Sequence, residues 1–128
     1  MEAAEQPTEL HTANQPLRIL AVDDDALILL NTCTLLEDMG HHVLEAGSGK
    51  AALDVLEAEK VDLMITDFAM PNMTGAELVE RARALAPELK VIVASGYADL
   101  PEHQTLDLPR LCKPYTEAEL ANAISAVY

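Results

Sequence analysis

"LRILAVDDDALILL", residues 17–30, joins an apolar run of strand length to three consecutive carboxylates and then returns at once to apolar residues. The first six residues suit a strand buried on both faces. "ALILLNTCTLLEDMG" then repeats apolar positions at helical spacing until Gly40, which stands where a helix end favours glycine. A buried strand, an acidic turn and a helix form the opening unit of an alternating α/β chain. Like charges crowded at such a turn repel, so something must hold them there.

The same pattern recurs along the chain. "HVLEA" reads as a strand, and "GSGKAALDVLEAEK" as a helix whose start Ser48 caps. "VDLMIT" is a strand ending at Asp67. After the loop "DFAMPNMTG", the helix "AELVERARALA" starts at a Thr74/Glu77 capping box and stops at Pro87. "KVIVAS" is a fourth strand ending at Ser95, and "RLCK" a fifth ending at Lys113. "TEAELANAISAVY" is a last helix opened by Thr116 and Glu119. Apolar strands separated by helix-length connections predict a parallel sheet covered on both faces, a doubly wound α/β domain over residues 17–128. Residues 1–16 are polar, carry Pro7 and Pro16 and follow neither period, which predicts a flexible N-terminal tail.

Composition narrows the partners. A formal net charge of −14 disfavours nucleic acid and anionic membrane surfaces. No apolar stretch is long enough to span a bilayer, and the N-terminus lacks the basic and apolar regions of a secretion signal. The expectation is a cytoplasmic monomer with Cys33 and Cys112, each set among apolar neighbours, reduced and buried.

In a doubly wound sheet the ligand site lies beyond the carboxyl ends of the strands, which singles out Asp23, Asp24, Asp67, Ser95 and Lys113. Carboxylates from two strand ends gathered at one rim need a cation, and hard oxygens suit Mg2+ or another divalent ion in its place. A lysine can pair with a phosphoryl oxygen and a serine can donate a hydrogen bond to it. Together these groups could transfer a phosphoryl group onto a carboxylate. Asp25 is read instead as the cap of the first helix.

"VDDD" after the first strand, "MITDFAMPNMTG" around Asp67, "IVASGY" after the fourth strand and "CKPY" after the fifth occur in the order of a known family. Residues 17–128 resemble the receiver domain of two-component response regulators. The resemblance implies a flavodoxin-like sheet of order 2-1-3-4-5. It makes Asp67 the acceptor of a phosphoryl group from a kinase phosphohistidine. It implies that Asp24 ligates Mg2+ directly and Asp23 largely through water, with Asp67 and the backbone carbonyl of Ala69 as further ligands. Lys113 would pair with Asp67 and then with the phosphoryl group, Ser95 would report the phosphoryl group, and a cis bond would precede Pro114. The partners implied are a histidine kinase or histidine phosphotransfer protein, docking at the first helix and the loop after the fifth strand near Leu27, Ile28 and Tyr115, and a downstream protein. With no DNA-binding output expected, the chain would be a single-domain response regulator that signals by contact or as a phosphate relay or sink.

The sequence departs from the family between Ser95 and Lys113, where the interval is short by roughly one helical turn and contains Pro101 and Pro109. The helix between the fourth and fifth strands is therefore expected to be reduced, with 97–109 the most mobile stretch, as in a receiver subclass with a disordered fourth helix. The family's aromatic switch position, three residues before the lysine, is Arg110, which leaves Tyr97 as a candidate replacement. Two other readings stay open. A haloacid-dehalogenase-like hydrolase would phosphorylate Asp23, with Asp25 as its second carboxylate, and leave Asp67 unused. A flavodoxin-like binding module would cradle phosphate at "EAGSGKAAL".

Overall fold

The computed structural model describes residues 16–70, 72–95 and 109–128. In chain order the elements are β1 (Arg18–Val22), α1 (Ala26–Asp38), β2 (His42–Ala46), α2 (Gly49–Ala58), β3 (Leu63–Asp67), α3 (Gly75–Leu85), β4 (Lys90–Ser95), β5 (Arg110–Cys112) and α4 (Glu117–Val127). The strands form one parallel sheet of order β2-β1-β3-β4-β5. The expected tail, apart from Pro16, and the stretch 97–108, with its reduced helix and mobility, lie outside the described residues.

Side-chain alternation splits the central strands between two cores. Leu20, Val22, Met64, Val91 and Val93 face α2 and α3, where they meet Ala52, Leu78, Val79 and Ala82. Ile19, Leu63, Ile65, Ile92 and Ala94 face the other way and pack with Leu36 of α1 and with Leu120 and Ile124 of α4. Both faces of these strands are thus dry, which is why the sequence shows them as unbroken apolar runs. Every expected cap is formed. Asp25 accepts from the backbone N–H groups of Leu27 and Ile28 at 2.9 and 3.2 Å, Ser48 caps α2, and Thr74/Glu77 and Thr116/Glu119 make complete capping boxes. Gly40, just past α1, has φ +93°, a conformation in which a Cβ would be strained.

One expectation is corrected. Cys33 is buried, but Cys112 is exposed. β5 is an edge strand of three residues in which only Leu111 turns into the core, so its neighbours Arg110 and Cys112 face outward. Apolar neighbours in sequence bury a residue only when they share its face. His41 escaped the sequence reading altogether: it is buried, and its Nδ1 accepts from the backbone N–H of Leu17 at 3.1 Å, tying the turn after α1 to the start of β1.

Candidate functional site

The parallel register brings the carboxyl ends of β1, β3, β4 and β5 to one rim. Asp23 follows β1 directly, and its N–H donates to the Ala46 carbonyl at 3.2 Å. Asp67 closes β3 opposite Ala94, and the next N–H, of Phe68, continues the ladder to Ala94 O at 2.8 Å. Lys113 follows β5, its N–H held by Ser95 O at 2.9 Å. From there its Nζ lies 2.8 Å from Asp23 Oδ2 and 2.9 Å from Asp67 Oδ1. Asp23 and Asp67 are buried and Asp24 is exposed, and an oxygen from each of the three lies within 4.8 Å of the others.

Charge at this rim is unbalanced. Burial pushes the Asp67 carboxyl above the usual carboxylate range. The hydrogen bond and charge of Lys113 pull it back, and the charges of Asp23 and Asp24 add to the rise. For Lys113, burial acts to lower the pKa, but the hydrogen bonds and charges of Asp23 and Asp67 outweigh it and leave the ammonium held more firmly than usual. One ammonium serves two buried carboxylates with a third beside them, so the cluster keeps an excess of negative charge. A hard, all-oxygen donor set with surplus charge and one member open to water fits a small divalent cation.

The remaining candidates separate. Ser95 is buried beside Ala94, and its Oγ has no hydrogen-bond partner among the described residues. Ala69 is exposed, two residues past Asp67 in the loop. The Lys113–Pro114 bond is cis. Arg110 is exposed at the edge of the sheet rather than turned inward, and Tyr97 lies outside the described residues. On α1, Leu27 and Leu30 are 78% and 62% exposed, whereas Tyr115 is buried. Leu27, Ile28, Asn31, Lys113, Pro114 and Tyr115 line a groove of about 320 Å³ beside the rim.

Two features of the rim were missed in the sequence. Gly75, the first residue of α3, lies so close to β3 that a Cβ there would sit 2.8 Å from both Asp67 O and Phe68 Cα, and its N–H donates to Phe68 O at 2.7 Å. The lone glycine after "MPNMT" was its visible trace. Thr32 of α1 and Tyr115 share a buried side-chain hydrogen bond, which nothing in the sequence links across the chain.

Both rival sites lose a part. The Asp25 carboxylate is spent on the α1 N–H groups. At "EAGSGKAAL", Met73 fills the space over Gly49, its Sδ 2.6 Å from where a Cβ would stand.

The sequence pattern of the response regulator receiver domain matches residues 19–125. The chain belongs to this family. The receiver domain is 35% identical over 111 residues to the response regulator receiver protein CpdR of Brucella abortus, covering 84% of this chain and 92% of that protein. It is 34% identical to a segment of the sensor histidine kinase GacS of Pseudomonas protegens, covering 95% of this chain but 14% of the kinase. In structure it matches the chemotaxis protein CheY4 of Vibrio cholerae with a TM-score of 0.81 at 26% identity, covering 89% of this chain and 100% of that one. Receiver domains are signalling phosphoacceptors rather than classical enzymes. Receiver domains as a family bind Mg2+ at an acidic pocket and interact with histidine kinases, and here Asp23, Asp24 and Asp67 form a cluster of acids. No helix among the described residues is long and apolar enough to cross a membrane.

Proposed function

We propose that this receiver domain takes a phosphoryl group from a histidine kinase or histidine phosphotransfer protein onto Asp67, in a Mg2+-dependent reaction. The observation that carries the reading is the Lys113 ammonium bridging Asp23 and Asp67 with Asp24 alongside. An Asp67 carboxylate oxygen attacks phosphorus in line. The new P–O bond forms as the P–N bond to the donor imidazole breaks, and the imidazole nitrogen keeps the electron pair and takes up a proton. Asp23, Asp24, Asp67 and the Ala69 carbonyl would hold Mg2+, which when bound neutralises charge on the phosphoryl oxygens.

The chain's own residues do the rest. Lys113 neutralises Asp67 before transfer and pairs with a phosphoryl oxygen after it. The Ser95 hydroxyl, buried and without a hydrogen-bond partner among the described residues, supports its role as the group that turns to that oxygen. Burial of Asp67 removes water that would otherwise solvate the nucleophile. The exposed leucines of α1 and the groove beside Lys113 suit docking of the phosphodonor protein. The match over 92% of CpdR supports a response regulator receiver domain, 17–128, that signals by contact or as a relay or sink.

Incubation with acetyl phosphate and Mg2+, read by intact mass, should add one acid-stable, base-labile phosphoryl group that Asp67→Asn abolishes. Persistence of the group in that variant and its loss in Asp23→Asn would overturn the assignment in favour of the hydrolase chemistry.

A further inference from the structure

We infer that Thr32 and Tyr115 are positioning residues of the phosphoacceptor site, their shared hydrogen bond setting where the turn after β5 delivers the Lys113 ammonium. The inference rests on Asp67 being the acceptor. Lys113 has a long way to reach: β5 is three strands from β1, about 14 Å at the usual strand spacing. Yet Nζ contacts Asp23 at the end of β1 as well as Asp67 at the end of β3. Among the described residues the backbone N–H of Lys113 is held by β4, through Ser95 O. Among the described residues its own strand is the shortest in the sheet and pairs only with β4. A four-carbon stem leaving such an edge needs a second anchor to hold one geometry.

Tyr115 is that anchor. It sits two residues past Lys113 and directly before the Thr116 cap of α4, so the turn that carries it is short. Its ring packs in the core shared with Ile65, Ala94 and Leu120, and its hydroxyl meets the Thr32 hydroxyl on the buried side of α1. α1 packs on β1 and β2, whereas α4 packs on β4 and β5. The hydrogen bond therefore joins the half of this layer that carries Asp23 to the half that carries Lys113. Beside the site, Asp23, Thr32 and Tyr115 line one void of about 10 Å³. That is barely the room of a single water, so a shift of the Tyr115 hydroxyl is transmitted toward Asp23 rather than absorbed. Burial raises the Tyr115 pKa, and the group feels the charges of Lys113, Asp23 and Asp67. The hydroxyl thus stays protonated and in electrical contact with the site it supports.

The test uses the full chain with acetyl phosphate, quenched at intervals and weighed intact, alongside calorimetric Mg2+ titration and thermal melts. Tyr115→Phe keeps the ring and so the core, and Thr32→Val removes the other hydroxyl. Each should slow Asp67 phosphorylation at saturating Mg2+ by about five- to twentyfold. Mg2+ affinity should hold or rise, because a loosened Lys113 competes less for the carboxylates. The double variant should lose no more than either single one, and Thr32→Ser should keep the wild-type rate. A wild-type rate in Tyr115→Phe overturns the inference, and so does a parallel fall in rate, Mg2+ affinity and melting temperature, which marks a bond that only stabilises the fold. A wild-type chain that takes no phosphoryl group at Asp67 overturns the reading of the site itself.

Discussion

Asp67 is placed by a neighbour that has no side chain. Gly75 begins α3 against the backbone of Asp67 and Phe68, so any Cβ there must push on main-chain atoms that cannot turn away. Gly75→Ala should therefore destabilise the domain by about 1–3 kcal/mol in urea titration, a cost of overpacking against backbone. It should also slow acceptance of a phosphoryl group at Asp67, because relief of the clash moves β3 or the loop after it. An unchanged unfolding midpoint would show that the loop yields freely. Gly75 illustrates what single residues disclose in sequence. Asp23, Asp24, Asp67 and Lys113 were legible because each ends an apolar run and the fold rule assigns chemistry to strand ends. Thr32 and Tyr115 meet across the length of the chain, a contact no local pattern records, while Gly75 shows in sequence only as a lone glycine that does not disclose how closely it approaches β3.

At the scale of elements, the three adjacent acids divide by what each helix or strand end asks of them. Asp25 belongs to α1: its carboxylate accepts two N–H groups of the first turn. Asp25→Ala should cost about 1 kcal/mol of stability in chemical denaturation while leaving Mg2+ affinity unchanged, the reverse of what replacing Asp24 should do. A loss of Mg2+ affinity in Asp25→Ala would put all three acids in the metal site. The start of β1 depends on another group, His41, whose Nδ1 must stay unprotonated to accept from Leu17 N–H. Burial lowers its pKa below the ordinary 6.5. Protonation therefore favours the unfolded chain, and the stability His41 supplies is whole above pH 6.5 and is lost as pH falls through the depressed folded value. Urea midpoints at pH 7.5 and pH 5 should fall further in the wild type than in His41→Gln, and equal falls would sink the assignment. The elements themselves were the most legible level, since caps and periods are local. β5 was the exception, because three residues carry too little alternation to show that Cys112 faces out.

For the whole molecule, the decisive quantity is charge. A chain with a net charge of −14 repels itself when folded, and among the described residues a local excess gathers at the rim, where Asp23 and Asp67 share the Lys113 ammonium with Asp24 alongside. The sheet order was legible as a fold class, but this convergence depends on β1, β3 and β5 ending at one level, which register alone decides. Two kinds of relief follow, and they separate experimentally. Any salt screens the diffuse repulsion, with a Debye length of about 8 Å at physiological ionic strength. Only an ion that binds the folded rim adds stability by mass action, about 2.7 kcal/mol at a free concentration of one hundred times its dissociation constant. The melting temperature should therefore rise with MgCl2 well beyond the rise produced by NaCl at equal ionic strength. Asp23→Asn and Asp24→Asn should each remove most of that difference while keeping the response to NaCl. Their melting temperatures without Mg2+ should be equal to or above the wild type for Asp24→Asn, whose exposed carboxylate only adds repulsion, and below it for Asp23→Asn, which loses the bond to Lys113. If NaCl at matched ionic strength reproduces the whole effect of Mg2+, the rim is no metal site, and the crowding of carboxylates at the end of β1 must be held by Lys113 alone.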